Sequence, residues 1–305
     1  MTRSPEPAAT GPERLFCFGL GYTALAFARS LMGDGWRVAG TCQSEARAAE
    51  LAEQGIEAHP FDDDRPLDDP EAALAGATAI LVSTPPGPAG DPVLTAAGGA
   101  LAEAVAGLPT PRWLGYLSTT GVYGDRGGAW VDERTPPAPT TARGRRRAAA
   151  EAAWLDFGRR SGVPVHLFRL AGIYGPGRSP LDAVRAGTAK RIDKPGQIFS
   201  RIHVDDIVRV LRASLARPDP GAIYNVCDDE PAPPAEVVAY ACALLGRAPP
   251  PLVPFDEARL SPMARSFYAE NKRVSNRRIK DDLGVRLAYP DYRSGLDAIL
   301  AAEGP

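Results

Sequence analysis

Gly19-Leu20-Gly21-Tyr22-Thr23-Ala24 lies between an apolar run, Arg14-Leu15-Phe16-Cys17-Phe18, and an apolar helical segment beginning at Leu25. At this spacing Gly19 permits a tight turn, Gly21 lets the backbone approach a pyrophosphate, and Ala24 allows close packing of helix on strand, with Tyr22 at the helix start. The helix N-terminus is then an anion-binding end. A second cluster, Leu117-Ser118-Thr119-Thr120-Gly121-Val122-Tyr123-Gly124, sets hydroxyls and a phenol at the end of another apolar run. Hydroxyls at the carboxyl end of a parallel strand can reach a cofactor crevice. For proton transfer the candidates are Tyr123 and Tyr174, each on a strand-exit loop, and His203, whose ordinary pKa suits the task best. His203-Val204-Asp205-Asp206 reads better as a helix start, with Asp205 or Asp206 satisfying free backbone amides.

The elements that would position these residues alternate. After the first strand and helix, strands are expected at 36–41, 56–60, 78–83, 112–118, 165–169 and 222–226. Helices are expected at 45–53, 92–107, 142–160 and within 202–216. Apolar strands alternating with helices predict an α/β, doubly wound parallel sheet whose right-handed crossovers gather strand ends at one crevice. Beyond Tyr174 the rhythm breaks at Gly175-Pro176-Gly177. Residues 14–173 thus read as a nucleotide-binding domain to which 201–227 returns. A smaller substrate lobe is expected from 174–200 and 228–305, with helices at 233–245 and 275–283, and 1–13 reads as a flexible tail.

Composition narrows the function classes. A net charge of −2 over 305 residues gives no global field for nucleic acid or an anionic membrane, and no stretch is apolar enough to span a bilayer. A small molecule is the expected partner. Cys17, Cys42, Cys227 and Cys242 lack metal-ligand spacing and read as reduced thiols of a cytoplasmic protein. All lysines lie at or beyond Lys190, so no catalytic lysine can come from the first 189 residues.

The ordered set of the glycine turn, Phe61-Asp62, Ser118 to Gly124, Arg169-Leu170-Ala171-Gly172-Ile173-Tyr174-Gly175-Pro176-Gly177-Arg178 and Arg201 to Asp206 resembles extended short-chain dehydrogenases/reductases. More narrowly it is similar to the NAD-dependent epimerase/dehydratase group and its atypical members, over about Leu15 to Leu300. The resemblance implies a Rossmann-type domain. It also implies that Thr119, with Ser118 as the adjacent alternative, donates to the reacting oxygen, and that Asp62 contacts adenine. Asp62-Asp63-Asp64 also reads as a solvated loop run.

That group carries a tyrosine and a lysine four apart on the helix after this strand. Setting Glu151 on the acidic residue that follows the lysine puts Arg143 at the tyrosine position and Arg147 at the lysine position. Residues four apart share a helix face. Arg147 can donate to a ribose, whereas Arg143 stays protonated and cannot inherit the phenol's chemistry. A solvated basic helix start is the competing reading of these arginines. Tyr268-Ala269-Glu270-Asn271-Lys272 repeats the Y-x-x-x-K string outside its structural setting.

The segment after the second strand is neutral, where NAD-specific sites place an acid. Gln43, Ser44 and Arg47 could therefore accommodate a 2′-phosphate, which predicts NADP over NAD. The expected function is an NAD(P)-dependent oxidoreductase or epimerase/dehydratase-like enzyme on a small polar substrate, sugars among the options. The alternative is a catalytically weak nucleotide-binding protein with a sensing role. By analogy with the group, a homodimer through the long helices is expected.

Overall fold

Seven parallel strands form the central sheet of the computed structural model, which describes residues 13–62, 65–109 and 111–303. They are β1 (Arg14–Phe18), β2 (Arg37–Cys42), β3 (Glu57–Pro60), β4 (Ala79–Val82), β5 (Trp113–Thr119), β6 (Val165–Leu170) and β7 (Ile223–Val226). Their spatial order is β7-β6-β5-β4-β1-β2-β3, so the chain winds outward from β1 in both directions. The order reverses between β1 and β4, and the crevice outside those strand ends is where a nucleotide belongs.

Alternation along the strands builds two cores. Leu15, Cys17, Leu81 and Phe168 face a layer holding the Tyr22–Met32 and Val204–Ala216 helices. Phe16, Phe18, Ile80 and Tyr116 face the opposite layer, where Trp154 and Phe157 of the Ala142–Ser161 helix are buried. Both faces of the sheet are covered, which explains strands that read as continuous apolar runs.

A third apolar cluster marks the smaller lobe. Helices Pro180–Arg185, Pro234–Leu244 and Tyr292–Ala302 meet there around Leu181, Val237 and Leu296. The helix expected at 275–283 spans only Arg277–Asp281, and its Ile279 joins the first core over the main sheet instead of the smaller lobe's cluster. The helix expected at 92–107 is broken into Pro92–Thr95, a 3-10 turn and Ala100–Ala106. Gly98 and Gly99 adopt φ of 67° and 99°, which a continuous right-handed helix excludes.

Of the tail reading, residues 1–12 lie outside the described residues. Glu13 does not belong to a free tail: its carboxylate accepts from Thr78 Oγ1 at 2.6 Å and pairs with Arg112 at 2.5 Å.

Candidate active site

The glycine turn forms as its spacing requires. Gly19 sits at φ 88°, and its N–H donates to Thr41 Oγ1 at 2.8 Å. A Cβ built on Gly19 would press on Thr84 at 3.1 Å, whereas one built on Gly21 would meet nothing within 4 Å. Thr84 Oγ1 is buried without a hydrogen-bond partner. An open approach over Gly21, a helix N-terminus and an orphaned hydroxyl together fit a pyrophosphate-bearing group. Ala24 is fully buried in the first turn of the Tyr22–Met32 helix, and Tyr22 donates its hydroxyl to Pro176 O at 3.0 Å, tying the turn to the segment beyond Tyr174.

Thr119 caps the short 3-10 turn Thr120–Tyr123, its Oγ1 accepting from Gly121 N at 3.1 Å. The oxygen is thereby oriented while its proton stays available to a ligand, and Thr119 lines a cavity of about 450 Å³. Ser118 and Tyr123 point the other way, which corrects their reading as substrate-facing groups. Ser118 Oγ donates to Glu151 at 2.5 Å, and Glu151 is gripped by Arg169 at 2.8 Å. Arg169 also donates to the Tyr123 hydroxyl at 2.9 Å, which itself donates to Asn225 at 2.8 Å. Alternation along β5 sends Ser118 to the face opposite Thr119, because successive side chains leave opposite faces of a strand, while Tyr123 is buried from the 3-10 turn that follows. Burial pushes the Tyr123 phenol up to about 12, so it is a poor acid near neutrality.

Glu151 thus anchors the register of the long helix. Thr141 caps that helix by accepting from Gly144 N at 3.1 Å, and Gly144 lets the first turn close on the Thr119 loop, since a Cβ there would lie 2.9 Å from Gly121 O. Arg143 consequently lines the cavity, its guanidinium 4.6 Å from the centre of the Phe267 ring. One turn on, Arg147 Nη1 donates to Tyr116 Oη and Leu117 O at 3.0 Å each, and reaches Thr84 O at 3.5 Å. Arg147 is therefore held between the ends of β4 and β5, beside Thr84, which packs against Gly19 of the glycine turn. Arg147 is thus held by the protein, whereas Arg143 is exposed apart from its contact with Phe267.

Sequence reasoning placed Tyr268 and Lys272 outside the site, yet both line the same cavity as Thr119 and Arg143, together with Glu270. Lys272 Nζ donates to Gly124 O at 2.9 Å and to Glu270 at 2.8 Å, while Glu270 accepts from Thr140 Oγ1 at 2.8 Å. These bonds tie the segment to the loop after Thr119 and to the start of the long helix. The Y-x-x-x-K string was a signal for this segment. Its sequence distance from β5 concealed the juxtaposition.

His203 is the N-cap of the Val204–Ala216 helix, its Nδ1 accepting from Asp205 N at 3.2 Å. That confirms the helix start but corrects its agent: the histidine caps. Asp206 instead accepts from Ala288 N at 2.8 Å and Tyr289 N at 2.9 Å. Burial depresses the His203 pKa and raises that of Tyr174, whose hydroxyl is 3.4 Å from Asp291 O.

Asp228, just beyond β7, is 1% exposed and neither carboxyl oxygen has a hydrogen-bond partner. Burial pushes its pKa up to about 8, with Arg201 opposing. Below pH about 4 the group is protonated in both folded and unfolded chains. As pH rises from there towards 8 only the unfolded chain sheds the proton, so stability falls. Asp228→Asn is expected to remove this slope, stabilising the protein by on the order of 3 kcal/mol at pH 8 and by little at pH 4. Urea unfolding at both pH values measures it, and parallel pH profiles for the two proteins would refute it.

At the end of β2, Gln43 is exposed and Ser44 caps the following helix, its Oγ accepting from Arg47 N at 3.2 Å. Arg47 pairs with Glu50 at 2.5 Å. Asp62 lies exposed at the exit of β3 and accepts from Arg65 N at 2.9 Å. Its neighbours Asp63 and Asp64 fall outside the described residues.

Among the described residues no group of three or more metal-ligating side chains occurs, and no helix is long and apolar enough to cross a membrane. Residues 99–227 match the family described as NAD dependent epimerase/dehydratase. Protein YeeZ of Escherichia coli (strain K12) is 32% identical over 289 residues, spanning 92% of this chain and 97% of its own. A functionally unknown conserved protein from Silicibacter pomeroyi DSS has a solved structure with TM-score 0.85 and 52% identity, covering 96% of this chain and 100% of that one. UDP-glucuronic acid 4-epimerase from Bacillus cereus, solved with UDP-glucuronic acid and NAD, gives TM-score 0.74 at 16% identity over 94% of this chain and 98% of its own, a likeness of fold. With the doubly wound sheet, the glycine turn and near full-length similarity to YeeZ, the chain belongs to the NAD dependent epimerase/dehydratase family.

Proposed function

We propose that this protein is a nicotinamide-dependent oxidoreductase or epimerase/dehydratase-like enzyme acting on a small polar substrate in the cavity between its lobes. The observation that carries the reading is that Thr119 and Arg143 line one cavity, while Arg147 joins that neighbourhood to the glycine turn. The nicotinamide ring would supply hydride transfer when bound. Thr119 would hold the reacting oxygen through its free O–H. Arg147 would position a ribose or the nearby backbone. Arg143, permanently charged, would bind an anionic group instead of moving a proton. Lys272 and Glu270 are an ion pair that the smaller lobe brings to the same cavity.

The reading extends to NADP over NAD. Gln43 and Ser44 place no acid at the end of β2, and the exposed Arg47–Glu50 pair is worth only about 0.5 kcal/mol, so Arg47 can exchange Glu50 for a 2′-phosphate. NADPH is expected to bind at least about tenfold more tightly than NADH in a fluorescence titration. Equal affinities would remove the 2′-phosphate site.

A second reading, a nucleotide-binding protein without turnover, is favoured by one observation. The phenols that line the cavity, Tyr174, Tyr268 and Tyr292, are all pushed above the ordinary tyrosine range by burial. A screen of alcohols, aldehydes and nucleotide sugars with either cofactor decides between the two. Turnover that falls about 100-fold in Thr119→Ala, with NADPH affinity unchanged, supports the enzyme. Cofactor binding with no hydride transfer or epimerisation across the screen supports the alternative.

A further inference from the structure

We infer that the cavity takes a ligand with an anionic head, a carboxylate or phosphate, on a compact apolar or aromatic body, and that Arg201 anchors the head. The inference rests on the proposed substrate cavity and names the class of molecule that enters it.

Three guanidinium groups line this cavity, Arg143, Arg178 and Arg201, and none forms an ion pair with any described carboxylate. Arg143 lies against the Phe267 ring, and Arg178 lies 5.7 Å from the centre of the Tyr22 ring. The lysine of the cavity behaves differently: Lys272 and Glu270 neutralise one another at 2.8 Å, so the net charge of the lining comes from the arginines.

Arg201 is the most constrained of the three. Its Nη1 donates to Phe199 O at 2.8 Å and to Ala232 O at 3.1 Å, which fixes the plane of the fork. The remaining guanidinium nitrogens make no hydrogen bond to a described residue. Around it the cavity is lined by Phe199, Tyr268, Val237, Tyr292 and Leu296, so the charge is held in a largely apolar wall. Burial accordingly depresses the Arg201 pKa. The nearby Asp228 carboxyl opposes that depression without forming an ion pair with the guanidinium. A half-buried, oriented guanidinium with no ion-pair partner and an open edge is suited to receive a planar anion through charge-assisted hydrogen bonds. The aromatic and aliphatic lining would receive the body of the same molecule.

The test uses the full-length protein, with and without saturating NADPH, and three probes sharing one ring: phenylacetate, phenyl phosphate and 2-phenylethanol. Calorimetric titration should show at least one anion binding about tenfold or more tightly than the neutral alcohol. The preferred anion distinguishes a carboxylate ligand from a phosphate ligand. Arg201→Gln should weaken that anion by about tenfold or more, with Arg201→Lys intermediate because it keeps the charge and loses the fork. Equal binding of alcohol and anion, no binding by either anion, or an anion affinity unmoved in a folded Arg201→Gln would each overturn the inference. Where Arg201→Gln does not fold, the comparison of probes on the unaltered protein tests the anionic head, and Arg201→Lys, which keeps the charge, tests the anchor. NADPH affinity, measured on the same samples, reports separately on the cofactor reading: its loss would strike that reading alone, and its retention without anion binding would strike this one.

Discussion

Glu151→Ala is expected to lower the unfolding free energy by about 3–5 kcal/mol, the range for breaking a buried ion pair from one side. The side chains of Arg169 and Glu151 are 3% and 5% exposed, and the carboxylate takes donors from two guanidinium nitrogens and from Ser118. Removing it strands a charge that also serves the Tyr123 hydroxyl, and through Tyr123 the Asn225 side chain on β7. The network therefore links the Ala142–Ser161 helix to β5, β6 and β7. Glu151→Gln keeps the shape and loses the charge, and should fall between the two. Replacing both partners, Glu151→Leu with Arg169→Met, should recover much of the loss, since no charge is then left unpaired. Urea unfolding followed by circular dichroism measures all three. A loss below about 1 kcal/mol for Glu151→Ala would mean that water reaches the arginine and that the network is not a structural centre.

The same network explains how far the sequence could be read. The sheet was legible because its strands are apolar on both faces and separated by helices, a pattern that local composition carries. The glycine turn was legible because Gly19 and Gly21 answer backbone needs that no distant residue alters. Ser118 and Tyr123 were misread as facing the substrate because a hydroxyl near a strand end serves a site or a buried network equally well, and only the packed position of Glu151 decides. Arg147 and Arg143 lie one and two turns before Glu151 on the same helix, so the buried anchor fixes their rotation. The Y-x-x-x-K string marked the segment of Glu270 and Lys272 but not its place, which arises from the smaller lobe folding back over the Thr119 loop across more than a hundred residues. Short strands such as Gly172–Tyr174 and Arg201–His203 escaped too, since three residues carry no periodicity.

Gly21→Val is expected to abolish or weaken nucleotide binding by on the order of 100-fold while leaving the fold intact. The two halves of this expectation come from one geometric fact: a Cβ on Gly21 meets no protein atom within 4 Å, so the isopropyl group extends into open space over the helix N-terminus. Gly21 has φ −86° and ψ −171°, an extended conformation that a β-branched residue adopts without strain. The space it fills is where a pyrophosphate would receive the amides that open the Tyr22–Met32 helix. Gly19→Val provides the contrast. Gly19 has φ 88°, and its Cβ would press on Thr84, so that variant should lose stability as well as binding. Titration with NADPH and NADH, alongside thermal unfolding of both variants, separates the two effects. A folded Gly21→Val that binds either nucleotide as tightly as the unaltered protein would remove the glycine turn from the cofactor site, and with it the connection from that turn through Thr84 and Arg147 to the cavity.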